Sequence, residues 1–125
     1  MTEGATFTKQ TSKQQIKNLF HLWNDALATG DPSAVANRYS KNAVLLPTAS
    51  DIPRTNKDLI TNYFESLLKR KPQVVILESN VELGANFARD AGIYEWTMGD
   101  GNKVKARYTF NYVFEDGAWK ISHHH

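Results

Sequence analysis

The sequence predicts an α+β domain in which three N-terminal helices pack on the inner face of a cone-shaped, curved antiparallel sheet. Apolar residues recur with helical spacing in the first half of the chain, and four segments in the second half alternate as strands do. Helices and strands that are segregated in this way are typical of α+β domains. The 125 residues fit one such domain. We assign residues 1–10 to a flexible N-terminal arm and residues 11–125 to the domain.

The first half of the chain predicts three helices and one short strand. The first helix begins near Thr11 and ends at Gly30, and its buried stripe consists of Ile16, Leu19, Phe20, Trp23, Ala26 and Leu27. Asp31 and Pro32 begin a short second helix that runs to about residue 39. The run "NAVLLPTA" reads as a brief strand. Thr55 caps a third helix, whose apolar stripe is Leu59, Ile60, Tyr63, Phe64, Leu67 and Leu68.

The second half predicts four strands, "QVVILESNVEL", "FARDAGIYEWTM", "KVKARYTFNYVFE" and "AWKISHHH". A two-residue turn at Asp116-Gly117 sets the register of the last hairpin. Alternation then places one set of side chains on the inner face: Tyr108, Phe110, Tyr112, Phe114, Trp119, Ile121, His123 and His125. The outer face receives Arg107, Thr109, Asn111, Val113, Lys120, Ser122 and His124. A three-residue turn with a bulge at "MGDGN" would bring Tyr94, Trp96 and Met98 to the inner face as well.

The predicted inner face combines aromatic bulk with polar tips, which a core built for stability alone would avoid. A buried hydroxyl or imidazole without a partner costs about 1–3 kcal/mol. We therefore expect a wet cavity between helices and sheet; the alternative is that each polar tip reaches the rim or a backbone carbonyl. The candidate pocket residues are Trp23, Arg54, Tyr94, Tyr108, Phe110, Tyr112, His123 and His125.

The composition excludes several classes of function. A net charge of +2, with acidic and basic residues interspersed, argues against binding to nucleic acid. The absence of cysteine removes disulfides and thiolate sites and fits a reducing compartment. We find no apolar run long enough to span a membrane and no signal peptide, so we expect a cytoplasmic protein that does not bind membranes. We expect no cofactor, and no metal site, because His123 and His125 lack a predictable third ligand.

Three segments carry a resemblance to a known family: "LWNDALATGDPSAVANRYSKNAVLLP", "PRTNKDLITNYFESLL" and "RYTFNYVFEDGAWKISHHH". In this order they resemble the nuclear-transport-factor-two-like superfamily. Within it they are most similar to the association (hub) domain of calcium/calmodulin-dependent protein kinase type II. The resemblance implies a cone-shaped α+β fold with a deep pocket. It also implies self-assembly, as dimers in the superfamily and as rings of stacked dimers in the kinase hubs. The chain has no kinase motif of its own.

The resemblance also implies roles for particular residues. Because the superfamily pairs its sheets, we expect a dimer interface on the outer face, at Arg107, Thr109, Asn111, Lys120, Ser122 and His124; a solvated sheet is the alternative. Kinase hubs bind small carboxylates through pocket arginines. Tyr94 and Phe110 stand where two of these arginines would be, and the third would fall after His125. That anion chemistry is therefore not transferred to this chain.

Enzymes of the superfamily use an aspartate or histidine base, but we expect Asp90 near a strand end and Glu95 on the outer face, away from the pocket. The expected function is a homo-oligomerisation domain, dimeric at least, with a small-molecule pocket whose ligand is unknown. The alternative is a small isomerase, cyclase or dehydratase with a His/Tyr pocket. A ligand-binding module with no role in assembly is a third possibility.

Overall fold

The computed structural model describes residues 12–125, and the predicted arm lies outside this range. Helix α1 (Lys13–Ala28) is followed by the short α2 (Pro32–Ala36), strand β1 (Tyr39–Leu45) and helix α3 (Lys57–Leu67), which a 3₁₀ turn (Leu68–Arg70) extends. Four strands complete the chain: β2 (Gln73–Leu83), β3 (Phe87–Thr97), β4 (Lys103–Glu115) and β5 (Ala118–His124). The predicted fold class is thereby confirmed.

Local sequence signals set the limits of the helices. Ser12 and Gln15 form a reciprocal capping box at the start of α1, and Gly30 follows its end with a φ of +71°. Asp31 caps α2. Helix α2 ends at Ala36, earlier than predicted, because the chain turns into β1 at Tyr39. Helix α3 is capped by Asn56 rather than Thr55; the Asn56 side-chain oxygen accepts the Leu59 N–H at 2.9 Å.

The five strands form one sheet in the order β1-β5-β4-β3-β2. Strands β2 to β5 make the predicted antiparallel meander. Strand β1 pairs with β5 in parallel, so the sheet is mixed rather than wholly antiparallel. The order of the elements accounts for this pair, because the α3 segment and the whole meander separate the two strands in sequence and leave room for a crossover.

Two turns follow their sequence signals. Asp116 and Gly117 both have positive φ, 52° and 81°, and form the predicted two-residue hairpin turn. At the β3–β4 hairpin the Met98 N–H donates to the Asn102 carbonyl at 2.8 Å, which encloses three residues. That turn places Tyr94 and Met98 among the buried residues and Trp96 against the core, as predicted.

The last hairpin departs from the predicted register at a β-bulge. Tyr112 pairs with Ile121 as expected, but the neighbouring Asn111 pairs with His123, so Ser122 is an extra residue on β5. Beyond the bulge every side chain of β5 changes face. The prediction that His123 and His125 point inward and His124 outward is therefore wrong: His124 is 4% exposed on the inner face.

The core lies between the helices and the inner face of the sheet. Its largest fully buried side chain is Trp23 of α1, which packs among rings of β3, β4 and β5. Ile16, Phe20 and Leu27 continue the predicted stripe along the same helix face. Within residues 12–125, no helix combines the length and apolarity needed to cross a membrane.

Replacement of Trp23 by alanine is expected to lower the free energy of unfolding by about 3–5 kcal/mol, because it removes a fully buried indole and leaves a cavity. Denaturant titration at a fixed protomer concentration measures this difference. The matched control is Leu22→Ala, one residue earlier and 49% exposed, which should cost less than about 1 kcal/mol. Equal costs for the two variants would contradict the packing of α1.

Candidate functional site

A chain of hydrogen bonds crosses the core and is centred on His124. The Trp23 indole N–H donates to the Tyr39 hydroxyl oxygen at 3.2 Å. Tyr39 lies 2.8 Å from His124 Nδ1, and Tyr94 lies 3.2 Å from His124 Nε2. The chain thus ties α1, β1, β5 and β3 together through four side chains that are all buried.

The donors and acceptors in this chain assign the histidine tautomer. The Tyr39 oxygen accepts from Trp23, so its own proton is best placed on His124 Nδ1. His124 then carries its proton on Nε2 and donates to the Tyr94 oxygen. The opposite tautomer would leave the Tyr39 proton without this acceptor in a fully buried position.

Burial keeps the chain uncharged. Desolvation, together with charge repulsion from the neighbouring His123 and His125, lowers the pKa of His124 to about 3. Desolvation also raises the pKa of Tyr39 well above its usual value and raises that of Tyr94. At neutral pH the imidazole and both phenols are therefore neutral, and they act as hydrogen-bonding groups rather than as charges.

Aromatic contacts hold the imidazole in place. The His124 ring stacks on Phe110 with a centroid distance of 4.1 Å, as their direct pairing across β4 and β5 requires. The Trp23 ring meets the His124 ring edge-on at 5.4 Å. Such packing restricts rotation of the ring and preserves both hydrogen bonds.

A cavity of about 210 Å³ lies beside this chain, between α3, the segment that follows β1, and strands β3 and β4. Its polar wall includes Tyr94 and His124, and Arg70 lies at its edge on the 3₁₀ turn. The remaining lining is mainly apolar: Leu45, Leu46, Pro47, Ala49, Phe64, Leu67, Trp96, Met98, Val104 and Ala106, with Thr48, Tyr63 and His125. Its volume is below that of sites for drug-sized ligands.

The structure separates the predicted pocket residues into several places. Tyr94 and His125 contribute to the cavity, although His125 is exposed and lies past the bulge. Trp23 and Phe110 are fully buried core residues rather than parts of the lining. The others lie elsewhere: Tyr108 and Tyr112 near Asp90, Arg54 against Tyr63, and His123 half-buried on the outer face.

The predicted interface residues lie on the outer face with one exception. Arg107 is exposed, and Thr109, Asn111, Lys120 and Ser122 are half-buried. The exception is His124, which the bulge turns inward. His123 lies on the outer face instead, opposite Asn111, where the predicted register had Ser122. Lys120 also contacts the segment before the adjacent strand β1, where its Nζ donates to the Asn37 carbonyl at 2.6 Å.

A buried carboxylate was missed by the sequence analysis. Asp90 is 1% exposed on the inner face, where its Oδ1 accepts hydrogen bonds from Ser79 at 2.6 Å and Tyr108 at 2.9 Å. The expectation that Asp90 lies away from the inner face is therefore wrong. The alternation of Tyr94, Trp96 and Met98, extended four residues back from Tyr94, would have placed it there.

Tyr112 has the one buried side-chain polar atom without a hydrogen-bond partner among the described residues. Burial raises the pKa of its hydroxyl well above the usual value, and the charge of Asp90 adds to the rise. Within residues 12–125, no three or more histidine, aspartate and glutamate side chains cluster as a metal site would require.

The family model for the calcium/calmodulin dependent protein kinase II association domain matches residues 12–125, the whole described domain. The chain belongs to this association-domain family. A solved structure of a candidate association domain from Xanthomonas campestris is 43% identical to it, with a TM-score of 0.87, and the match covers 93% of this chain and 86% of that one. Among curated proteins, none matches the chain.

Two more distant structures are similar to this association domain in fold alone. An NTF2-like protein from Pseudomonas putida KT2440 is 18% identical, with a TM-score of 0.79, over 90% of this chain and 83% of that one. A candidate ketosteroid isomerase from Parabacteroides distasonis is 16% identical, with a TM-score of 0.75, over 94% and 88% of the two chains. The predicted family and fold are confirmed.

The stability of this association domain should fall as the pH drops below about 6.5, because His124 is held neutral in the folded state. Its folded pKa of about 3 lies below the unfolded value of 6.5, so the unfolded state binds the proton first. The contribution of His124 is therefore complete above pH 6.5 and is lost progressively between pH 6.5 and about 3. One proton gives a slope of up to about 1.4 kcal/mol per pH unit.

Urea titrations at several pH values measure this slope. His124→Gln, which cannot titrate, should flatten it, whereas His123→Gln on the outer face should change it little. A wild-type slope retained in His124→Gln would show that other groups cause the loss of stability.

Two tyrosine-to-phenylalanine variants should differ in sign. Tyr112→Phe removes a buried hydroxyl without a partner and should be neutral or stabilising. Tyr39→Phe leaves the Trp23 N–H and His124 Nδ1 without their partner and should cost about 1–3 kcal/mol. Thermal unfolding of both variants at one concentration checks this. A destabilised Tyr112→Phe beside an unaffected Tyr39→Phe would contradict both assignments.

Proposed function

We propose that this association domain is a homo-oligomerisation module, dimeric at least, whose protomers pair through the outer face of the sheet. The supporting observation is that the helices of residues 12–125 pack on the inner face, so that none of them covers the outer face; the 46–53 segment borders that face near Arg107 and Thr109. A sheet with one face free of helices and a partly apolar centre is suited to packing against a second sheet.

The centre of the outer face has the character of an interface. Ile93 lies opposite Arg107, and Ala91 lies opposite Thr109 on the neighbouring strand. Phe87 lies at one end of the face, opposite Val113, and is 46% exposed. Small and apolar side chains at the centre with charged residues around them match the general composition of protein interfaces.

The charges of the outer face permit pairing of identical copies. Lys105 and Arg107 form a basic row on β4, while Glu95 lies on the adjacent β3 and Glu78 lies on β2 beyond it. In a two-fold assembly the same patch is used on both protomers, so a patch must complement itself. The outer face carries its positive and negative charges in separate rows. Two copies that are shifted relative to each other can therefore place the positive row of one opposite the negative row of the other.

We further propose that the inner cavity binds a small, largely apolar molecule. Its walls are mainly apolar, and the neutral Tyr94 hydroxyl, whose oxygen accepts from His124, keeps its own proton for donation to a ligand. A ligand held there would bury its hydrocarbon part against Leu45, Phe64 and Met98. The cavity volume of about 210 Å³ favours a ligand smaller than common cofactors.

The isomerase-type alternative has less support. A general base must combine a pKa near the working pH with a place beside the substrate. His124 lies in the cavity wall, but its lowered pKa makes the imidazole a weak proton acceptor. Asp90 is not part of the cavity lining, and its Oδ1 already accepts two hydrogen bonds. We therefore favour binding and assembly over catalysis.

The native mass of the purified chain tests the assembly proposal. Light scattering at micromolar concentration should give at least twice the mass of one chain. Ile93→Asp places a charge at the centre of the proposed interface and should weaken assembly at least ten-fold. Arg107 across β4 can pair with the new carboxylate in the free protomer, which protects its fold.

The matched control is Leu22→Asp, which adds the same charge at an exposed position of α1, away from the sheet. Its mass should equal that of the unmodified chain. A monomeric wild-type chain would overturn the assembly proposal. An oligomer that tolerates Ile93→Asp but not Leu22→Asp would move the interface from the sheet to the helices.

A further inference from the structure

A groove of about 440 Å³ runs along the exposed side of α3, outside the inner cavity. Residues at successive turns of the helix form its floor, from Leu59 through Asn62 and Ser66 to Arg70. Arg54, from the segment before α3, closes one side next to Tyr63. The groove and the cavity share Tyr63, Leu67 and Arg70 but differ in the rest of their lining.

Arg54 is held in a fixed position. Its guanidinium lies 5.3 Å from the centroid of the Tyr63 ring, within the range of a cation–π contact. Its Nη1 donates to the Ser50 hydroxyl at 3.0 Å and to the Ile52 carbonyl. Since arginine has five N–H donors, Nη2 and Nε remain able to bind an anion.

Arg70 lies at the far end of the same groove. It is seven residues after Tyr63, which corresponds to about 10 Å along a helix axis. The side chain is exposed, so it can move to meet a ligand between the two ends. Two guanidinium groups at the ends of one groove can bind the same oxyanion. Alternatively, one of them can bind the head of a ligand and the other its tail.

The charge around the groove is not neutralised. No acidic residue contributes to its lining, and Asn62 and Ser66 add neutral hydrogen-bonding groups. From position 54 to position 71 the chain has five basic and two acidic residues. Residues 12–125 contain one ion pair, between Arg89 and Glu82 on the outer face. Within this part of the chain, neither Arg54 nor Arg70 therefore has a carboxylate partner.

We propose that this groove binds a small organic oxyanion, with a phosphate or carboxylate head between Arg54 and Arg70. The flanking Leu59 and Leu67 and the Tyr63 ring contact its apolar part. The site does not require pairing of the sheets, and it shares Tyr63, Leu67 and Arg70 with the inner cavity. It gives this association domain a way to respond to a charged metabolite on its helical side.

Ligand-observed NMR tests the proposal with three probes of similar size: phenyl phosphate, benzoate and the neutral benzyl alcohol. The ionic strength is kept constant with sodium chloride, because exposed charges are screened by salt. At least one anion should bind saturably, and at least ten-fold more tightly than the alcohol. Binding of phenyl phosphate alone assigns a phosphate head, and binding of both anions assigns a general oxyanion site.

Three variants locate the binding. Arg70→Gln and Arg54→Lys should each weaken the anion at least ten-fold, the second because a lysine cannot replace the guanidinium fork. Arg89→Gln, an arginine of the outer face, is the matched control and should leave affinity unchanged. If Arg54→Lys does not fold, the exposed Arg70 decides the result alone.

Asn62→Asp separates the groove from the inner cavity, since Asn62 contributes to the first and not to the second. The added negative charge should weaken anion binding at least ten-fold. If Arg70→Gln loses anion binding while Asn62→Asp keeps it in full, the anion binds in the inner cavity and the groove proposal is wrong. Absence of saturable binding for both anions, or equal binding in Arg70→Gln and the unmodified chain, would overturn the proposal.

Discussion

The β-bulge at Ser122 determines the interior of this association domain. By adding one residue to β5, it turns His124 towards the core, opposite Phe110 and within hydrogen-bond distance of Tyr39 and Tyr94. Without it, a histidine would still face inward, but at a position one residue away along β5. Tyr39 pairs with Ile121 on β5, and its hydroxyl lies 2.8 Å from His124 Nδ1 on that strand. One extra residue thereby links helix α1, strands β1, β5 and β3, and the cavity wall.

The polar core that results is stable because it is neutral and paired. A charged imidazole in this position would be costly, since desolvation opposes it strongly. The sequence of donors from Trp23 through Tyr39 and His124 to Tyr94 satisfies each group in turn. The interior therefore offers neutral groups in a mainly apolar cavity. The uncompensated positive charge lies along α3, where Arg70 borders both the cavity and the outer groove.

Sequence patterns predicted the parts of the fold that depend on periodicity and on turn residues. The stripe of α1, the Asp116-Gly117 turn and the limits of β2 and β4 agree with the structure. The histidine register could not be obtained in this way. Three identical residues look the same to any alternation rule, and a serine carries no signal that it is the extra residue of a bulge. The parallel pairing of β1 with β5 could not be predicted either, because a local sequence pattern does not indicate which distant strand a strand pairs with.

Asp90 is a different kind of failure. Its position follows from an alternation that the sequence already displayed, and only the expectation that carboxylates lie outside placed it elsewhere. Ser79 comes from a strand with a bulge of its own at Leu77, so its hydrogen bond to Asp90 could not be foreseen. The cavity lining was missed for a simpler reason. Much of it comes from α3, whose apolar stripe was assigned to the core, and from the segment after β1, which was predicted as part of a brief strand.

Nitrogen-15 NMR of the histidine side chains tests the bulge and the buried tautomer together. We expect that one histidine, His124, shows a protonated Nε2 and an unprotonated Nδ1. Both signals should stay unchanged from pH 8 down to about pH 4, because its folded pKa is about 3. His123→Gln and His125→Gln should each leave that signal in place, and His124→Gln should remove it. If His124 titrates near its ordinary pKa of about 6.5 and His123 or His125 keeps its signals unchanged instead, the bulge and the buried tautomer are both wrong.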